Sequence, residues 1–371
     1  MGPSRRAPRT CAESRGALVI SSSLFAVVRC PECATTLRPE GTGAACPSCG
    51  RVFDGSRGYL DLRPLAAFEE QTKYLDEALH VDARHETVAP PLLGSKIRND
   101  RLRAFLELTP QDRVIDLGCG SGRAMLWNRD TGAAMTGIDI SPFFSREALD
   151  GTDLLLGDLR RMPIPDAVFT KAWSLDVLEH LSPPALHDML REANRVLEPG
   201  GALFVYTHVR KNGPIAIGVR LVNKLAHGLE RLGLLDLRTE RLRKSDHLNP
   251  ITDHEDLHRV AAACGFEVDR ITYYTPIIGA FMENILARMA ERFLTRRAAN
   301  RARAGQPVSD GDAVRAARKD AKARLRQGGA LYWTLRAMTG LMYLDVLAFG
   351  RLRSGPFFAR LRKRPGAVLP S

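Results

Sequence analysis

Residues 114–123 read Val-Ile-Asp-Leu-Gly-Cys-Gly-Ser-Gly-Arg, and this stretch decides the fold. Val114 and Ile115 are β-branched and suit the end of a buried parallel strand. Asp116 then opens a turn with glycines at 118, 120 and 122. Glycine tolerates a positive φ and lets a ligand approach the backbone, so the turn is suited to face a bound molecule. A dinucleotide fingerprint would read Gly-x-Gly-x-x-Gly. Here the spacing is Asp-x-Gly-x-Gly-x-Gly, with Arg at 123. A strand-to-helix turn in some other α/β protein could carry the same glycines, so the downstream spacing must decide.

A second strand is expected over Ala133–Ile140, ending in Asp139. That acid lies about twenty residues past the glycines, where a carboxylate can accept from both hydroxyls of a ribose. A third strand, Asp153–Gly157, leads into Asp158-Leu159, and a fourth, Val168–Ser174, leads into Leu178-Glu179-His180-Leu181. Pro183–Leu197 reads as an amphipathic helix, with Leu186, Met189, Leu190, Ala193 and Leu197 near helical spacing. Glu198-Pro-Gly-Gly breaks it before a fifth strand, Ala202–Val209. In this order the motifs resemble those of the class I S-adenosylmethionine (SAM) methyltransferases, with a type 11-like core, over roughly residues 95–275. The resemblance implies an α/β, Rossmann-like sheet with helices on both faces. It also implies that Asp116, Gly118, Cys119, Gly120, Gly122, Asp139, Ile140, Asp158, Leu159 and Ser174 hold SAM, with Asp158 receiving the adenine amino group.

Four of the seven cysteines form Cys30-Pro-Glu-Cys33 and Cys46-Pro-Ser-Cys49. Each knuckle can aim two thiolates at one ion, and two knuckles complete a structural four-cysteine zinc site. Two disulfides or a redox pair are the alternatives, but no convincing export signal accompanies them. The module, with Phe53-Asp54 and Gly58-Tyr59 following, resembles the zinc ribbons of tRNA-methyltransferase activators and of rRNA guanine methyltransferases. The rRNA guanine methyltransferase ribbons usually end in His, where this chain has Cys49.

The net charge of +12 is uneven. From Arg288 onward 19 Lys/Arg face 5 Asp/Glu, leaving the remainder at −2. An RNA-gripping core more often carries the positive charge itself. The stripe Ile278, Phe281, Met282, Ile285, Leu286, Met289 and Phe293 lies near Arg288, Arg292, Arg296 and Arg297. It reads as a basic amphipathic helix. Leu331–Phe349 is strongly apolar, but Arg336 and Asp345 make a bilayer span costly. Phe357-Phe358, edged by arginines, suits the surface of an anionic membrane.

The expected organisation is a disordered extension over 1–24, a zinc ribbon over 25–62 whose first strand is Phe25–Arg29, and a helical cofactor cover over 63–112. Tyr74, His80 and His85 are candidate covering residues. A methyltransferase core over 113–276 follows, with an insertion at 211–249, and a helical C-terminal extension over 277–371. A sulfonium methyl is already activated, so alignment is the main requirement. His180 and His208 are the candidate bases if the acceptor must lose a proton. The acceptor is expected to be a small or lipid-linked metabolite, met by a cytoplasmic protein peripheral to the membrane. An rRNA or tRNA base methyltransferase and a non-catalytic SAM-binding adaptor are the competing expectations.

Overall fold

The computed structural model describes residues 20–65, 88–211, 213–237, 241, 247–290, 292 and 325–365. Tyr74, His80, His85, residues 1–19 of the expected extension, and Phe293, Arg296 and Arg297 of the basic stripe lie outside them.

The ribbon contributes strands β1 (Arg38–Glu40), β2 (Gly43–Ala45) and β3 (Val52–Phe53), an antiparallel sheet in that order, and β4 (Leu60–Asp61). The core adds β5 (Arg113–Leu117), β6 (Ala134–Asp139), β7 (Asp153–Leu156), β8 (Phe169–Leu175) and β9 (Leu197–His208). Two later strands, β10 (Phe266–Tyr273) and β11 (Pro356–Lys363), complete it. The eight-stranded sheet runs β10-β11-β9-β8-β5-β6-β7-β4, with β11 antiparallel to both neighbours.

Strict alternation along the strands builds two cores. Ile115, Leu117, Ala172, Leu203, Val205, Phe357 and Ala359 face one side, where the helix Pro183–Val196 buries Leu186, Met189, Leu190 and Ala193. Val114, Trp173, Phe204 and Phe358 face the other, where the helix Gly94–Leu106 buries Ile97, Leu102 and Phe105. A parallel sheet covered on both faces needs such near-continuous apolar strands.

Three expectations are corrected here. First, Phe25–Arg29 is not a strand. Ser22–Val27 is a short helix, and the Ser21 hydroxyl accepts the Leu24 amide at 3.1 Å. Ser21 at the N-cap explains the helix start, and Leu24 is its buried anchor, with Ile20 and Val28 buried just before and after it.

Second, the ribbon expected over 25–62 is not bounded from the core. β4 pairs in parallel with β7, and Leu24, Val28, Leu37 and Phe53 share one core with Ile138, Leu155, Met162 and Ile164. The Arg29 amide also donates to the Pro163 carbonyl at 2.8 Å.

Third, the core does not end near Pro276. β11 lies between β9 and β10 in the sheet, so a boundary there would divide a continuous structure. Phe357 and Phe358 are fully buried, one on each face, rather than presented to a membrane. The flanking Arg360 and Arg362 each donate to Asp269 at 3.0 Å. The helix Ala330–Phe349 packs Met342 and Val346 onto the core, and buried Asp345 accepts the amides of Ile278 and Gly279 at 3.0 and 2.7 Å. That carboxylate caps the helix Ile277–Ala280, which continues as a π-helix over Phe281–Ala287. Among the described residues no helix is long and apolar enough to cross a membrane.

Candidate active site

The glycine turn sits at the carboxyl end of β5, where open α/β sheets bind ligands. Gly118, Gly120 and Gly122 have φ of +80°, +53° and +77°. A Cβ on Gly118 would collide with Val177, and one on Gly122 would come within 2.6 Å of the Ala148 Cβ. Gly120 instead faces open space, with nothing within 4 Å of the position a Cβ would take. The turn is therefore packed at both ends and clear in the middle, the shape a backbone-hugging ligand needs.

Asp139 at the end of β6 locks this turn. Its Oδ2 accepts the Gly120 amide at 2.7 Å and its Oδ1 accepts the Ser141 amide at 2.9 Å. Each carboxylate oxygen keeps a further lone pair for a ribose hydroxyl. Burial pushes its carboxyl above the usual range, against the pull of the amides.

Asp116 is 2% exposed, and its Oδ2 has no hydrogen-bond partner among the described residues. Burial pushes this carboxyl up to about 7, opposed by the facing Trp173 indole. A buried carboxylate with an oxygen to spare suits a cationic ligand. SAM carries two such centres, its ammonium and its sulfonium. The open Gly120 turn, the Asp139 carboxylate and the unmatched Asp116 oxygen together fit that cofactor.

The other expected cofactor residues divide. Ile140 and Leu159 are half-buried just beyond β6 and β7, at the same sheet edge. Asp158 is bound by its own neighbour, with Arg160 donating Nη2 to Oδ2 at 2.9 Å and its amide to Oδ1 at 2.9 Å. Cys119 is buried, and burial raises its thiol well above the ordinary value, which leaves it unreactive. Only its backbone takes part in the turn. The Ser174 hydroxyl is buried and donates to the Leu117 carbonyl at 2.9 Å, so it ties β8 to β5.

Beyond β8 and β9 the structure brings together residues distant in sequence. His180 ends a 3-10 turn, Leu178–His180, and His208 ends β9. His247 joins them, with its Nδ1 3.2 Å from His208 Nε2 and its ring 4.7 Å from that of His180. Glu179 lies beneath, 1% exposed, accepting the Thr207 hydroxyl at 2.8 Å, with its Oε1 4.0 Å from His208 Nδ1.

Glu179, His247 and Arg98 did not stand out in the sequence. Glu179 is adjacent to His180, but nothing local marks its burial. Arg98 reaches over from the helix Gly94–Leu106, with its guanidinium 5.3 Å from the Tyr206 ring centre and its Nε 3.7 Å from Asp176 Oδ2. Asp176 has φ +57°, a left-handed conformation unusual for a non-glycine residue and concentrated at functional turns.

In the ribbon, the sulfurs of Cys30, Cys33, Cys46 and Cys49 lie within 4.8 Å of one another. Cys30 Sγ is 3.7 Å from Cys49 Sγ, and Cys33 Sγ is 3.4 Å from Cys46 Sγ. A tetrahedron with zinc–sulfur bonds of about 2.3 Å has edges of about 3.8 Å, so the four donors fit one zinc. None of the four is in a disulfide.

Residues 115–205 match the model of a methyltransferase domain family. The chain is 33% identical over 116 residues to the sterol 4-C-methyltransferase strm-1 of Caenorhabditis elegans, covering 29% of this chain and 34% of that one. It is 35% identical over 114 residues to the 27-O-demethylrifamycin SV methyltransferase of Amycolatopsis mediterranei, covering 28% and 41%. A solved phosphoethanolamine N-methyltransferase 2 of Haemonchus contortus, bound to SAM, overlays with a TM-score of 0.46 at 16% identity. That overlay covers 80% of this chain and 61% of the other. The chain spans between a third and a half of the length of the first curated relatives it matches. With the Asp-x-Gly-x-Gly-x-Gly turn, the acid after β6 and this match in one continuous stretch, the chain carries a class I SAM methyltransferase domain.

Proposed function

We propose that this protein is a SAM-dependent methyltransferase acting on a small or lipid-like acceptor, and that the ribbon's zinc is structural. The observation that carries the reading is the wiring of the glycine turn. Asp139 holds Gly120 while the face of Gly120 stays open beside a buried, unmatched Asp116 oxygen. When bound, SAM supplies a methyl group on a positively charged sulfur. This chain's residues seat it and present the acceptor from the His180–His208–His247 side, so that nucleophile and methyl carbon are aligned.

The acceptor class draws support from relatives whose names include sterol 4-C- and 24-C-methyltransferases and a squalene methyltransferase. A surface feature agrees. The helix Ala216–Arg231 buries Ala226 and packs Val222 and Leu229 inward, yet leaves Ile217, Leu221 and Leu225 more than half exposed. Exposed Arg220 and Lys224 flank that stripe. An apolar stripe edged by cations suits approach to an anionic lipid surface. The test is incubation of the full chain with methyl-labelled SAM and separate lipid, small-metabolite and RNA fractions. Label should enter the lipid or metabolite fraction, and label confined to RNA would refute the acceptor class.

A further inference from the structure

Among the described residues two clusters gather three or more metal-ligating side chains within reach of one point. One is the ribbon. The other is Glu179, His180 and His247, whose ligand atoms all lie within 4.8 Å of one another at the carboxyl edge of β8 and β9. We propose that Glu179, His180 and His247 hold a second metal, a divalent first-row transition cation, and that this cation binds an acceptor oxygen beside the methyl donor. The oxygen-acceptor half rests on the methyltransferase reading above, whereas the cation half does not.

The cluster is built from both sides. Glu179 and His180 are consecutive, carried by the 3-10 turn after β8. His247 arrives from the far end of the insertion, and that segment is anchored beside them. The Leu248 and Asn249 amides both donate to the Glu179 carbonyl, at 2.7 and 3.0 Å. Asn249 takes a left-handed φ of +46° where the chain bends back, and non-glycine residues keep such backbone only where the surroundings hold it.

Outer partners are also in place. Thr207 Oγ1 donates to Glu179 Oε2 at 2.8 Å, and His208 Nε2 meets His247 Nδ1 at 3.2 Å. Ligating histidines and carboxylates are oriented by contacts of this kind. Two imidazoles and one carboxylate suit zinc, manganese, cobalt or iron better than magnesium or calcium, which prefer oxygen alone. Three protein ligands leave positions for substrate, unlike the closed four-cysteine site.

The chemistry follows from the charge. A cation held there would bind a hydroxyl on the acceptor and acidify it, the proton leaving to solvent. The oxygen lone pair then attacks the sulfonium methyl carbon. The carbon–sulfur bond breaks with its electrons passing to sulfur, giving a methyl ether and the neutral thioether product. The site thus favours an acceptor with a hydroxyl, or two adjacent oxygens, over a bare alkene.

The test uses full-length protein stripped of metal and titrated with Co2+, with bound metal counted by elemental analysis after desalting. Wild type should hold two equivalents. One gives the thiolate-to-cobalt absorption of the ribbon, and the other only the weaker visible bands of a nitrogen and oxygen site. His180→Gln and His247→Gln should each hold one equivalent with the thiolate band intact, which also shows that the protein is folded. Thr207→Val should keep both sites but bind the second ion on the order of tenfold to a hundredfold more weakly. One equivalent in wild type, or a second equivalent that survives in both histidine variants, overturns the cation site. SAM affinity measured on the same samples separates the two readings. Two cobalt equivalents without SAM binding would sink the methyltransferase reading and leave the metal site standing.

Discussion

Replacing Asp116 with Asn tests the reading of the cofactor loop through both stability and binding. Burial moves this carboxyl from its ordinary 3.8 to about 7, with Trp173 partly opposing the shift and Asp139 adding to it. The folded state therefore holds a proton on Asp116 between those two pH values, whereas the unfolded chain has already released it. Stability contributed by the site is fully present below pH 4 and is lost as pH rises towards 7. Each unit is worth about 1.4 kcal/mol, so the ionised group costs the fold about 4 kcal/mol above pH 7. Between pH 5 and pH 8 the loss is about 3 kcal/mol, two units' worth. Asn cannot titrate, so Asp116→Asn should lack that part of the pH dependence. The assay is urea unfolding of both proteins at pH 5 and pH 8. The variant should gain on wild type by roughly 2–3 kcal/mol over that interval. It should also bind SAM about ten to a hundredfold more weakly, because a hydrogen bond to a charged group contributes about 1.5–3 kcal/mol. SAM binding should strengthen with rising pH up to about 7 and then level off, since the cationic ligand and the proton compete for one carboxylate. If both proteins lose the same stability between pH 5 and pH 8, the account of Asp116 as a buried, unmatched acid is wrong.

Asp139→Ala removes the acceptor for the Gly120 and Ser141 amides as well as the ribose acceptor, so calorimetry should show SAM affinity reduced roughly tenfold or more. Purified protein should carry zinc on the four ribbon cysteines, and Cys46→Ser should lose it. Because β4 pairs with β7 and the ribbon shares one hydrophobic core with the sheet, that loss should lower the unfolding temperature of the whole chain rather than of the ribbon alone. A core transition unchanged by Cys46→Ser would contradict the shared core. Phe358→Ala should destabilise by about 3–5 kcal/mol as a truncation in a packed core, whereas Trp333→Ser, at a position 64% exposed, should stay within about 0.5 kcal/mol. Chemical denaturation of the two variants distinguishes this from the membrane-facing role first expected of Phe358.

Much of this protein is legible in its sequence because the signals are local. The Asp116–Gly122 turn, the acid at 139, the alternating strands and the paired Cys-x-x-Cys knuckles each encode their geometry within a few residues. Backbone conformation and ligand chemistry are fixed at that range. Strand Pro356–Lys363 was not legible as part of the sheet. Its neighbours in space, β9 and β10, are about 150 and 90 residues away in the chain, and an exposed-looking Phe-Phe between arginines reads equally well as an interfacial edge. The union of ribbon and core was equally hidden, since a two-residue strand such as Leu60–Asp61 has no periodicity of its own and acquires a partner only when β7 offers its free edge. Glu179 and His247 became a site only through folding. A carboxylate adjacent in sequence to one histidine reaches a second one 68 residues away because the insertion returns over the sheet edge, and its burial depends on Thr207 and the strands beneath it. Sequence alone determined the cofactor turn and the metal knuckles, where the chemistry is held by near neighbours. The tertiary structure decided which distant segments close the sheet and which polar groups meet at its edge, because burial and long-range pairing are properties of the packed chain.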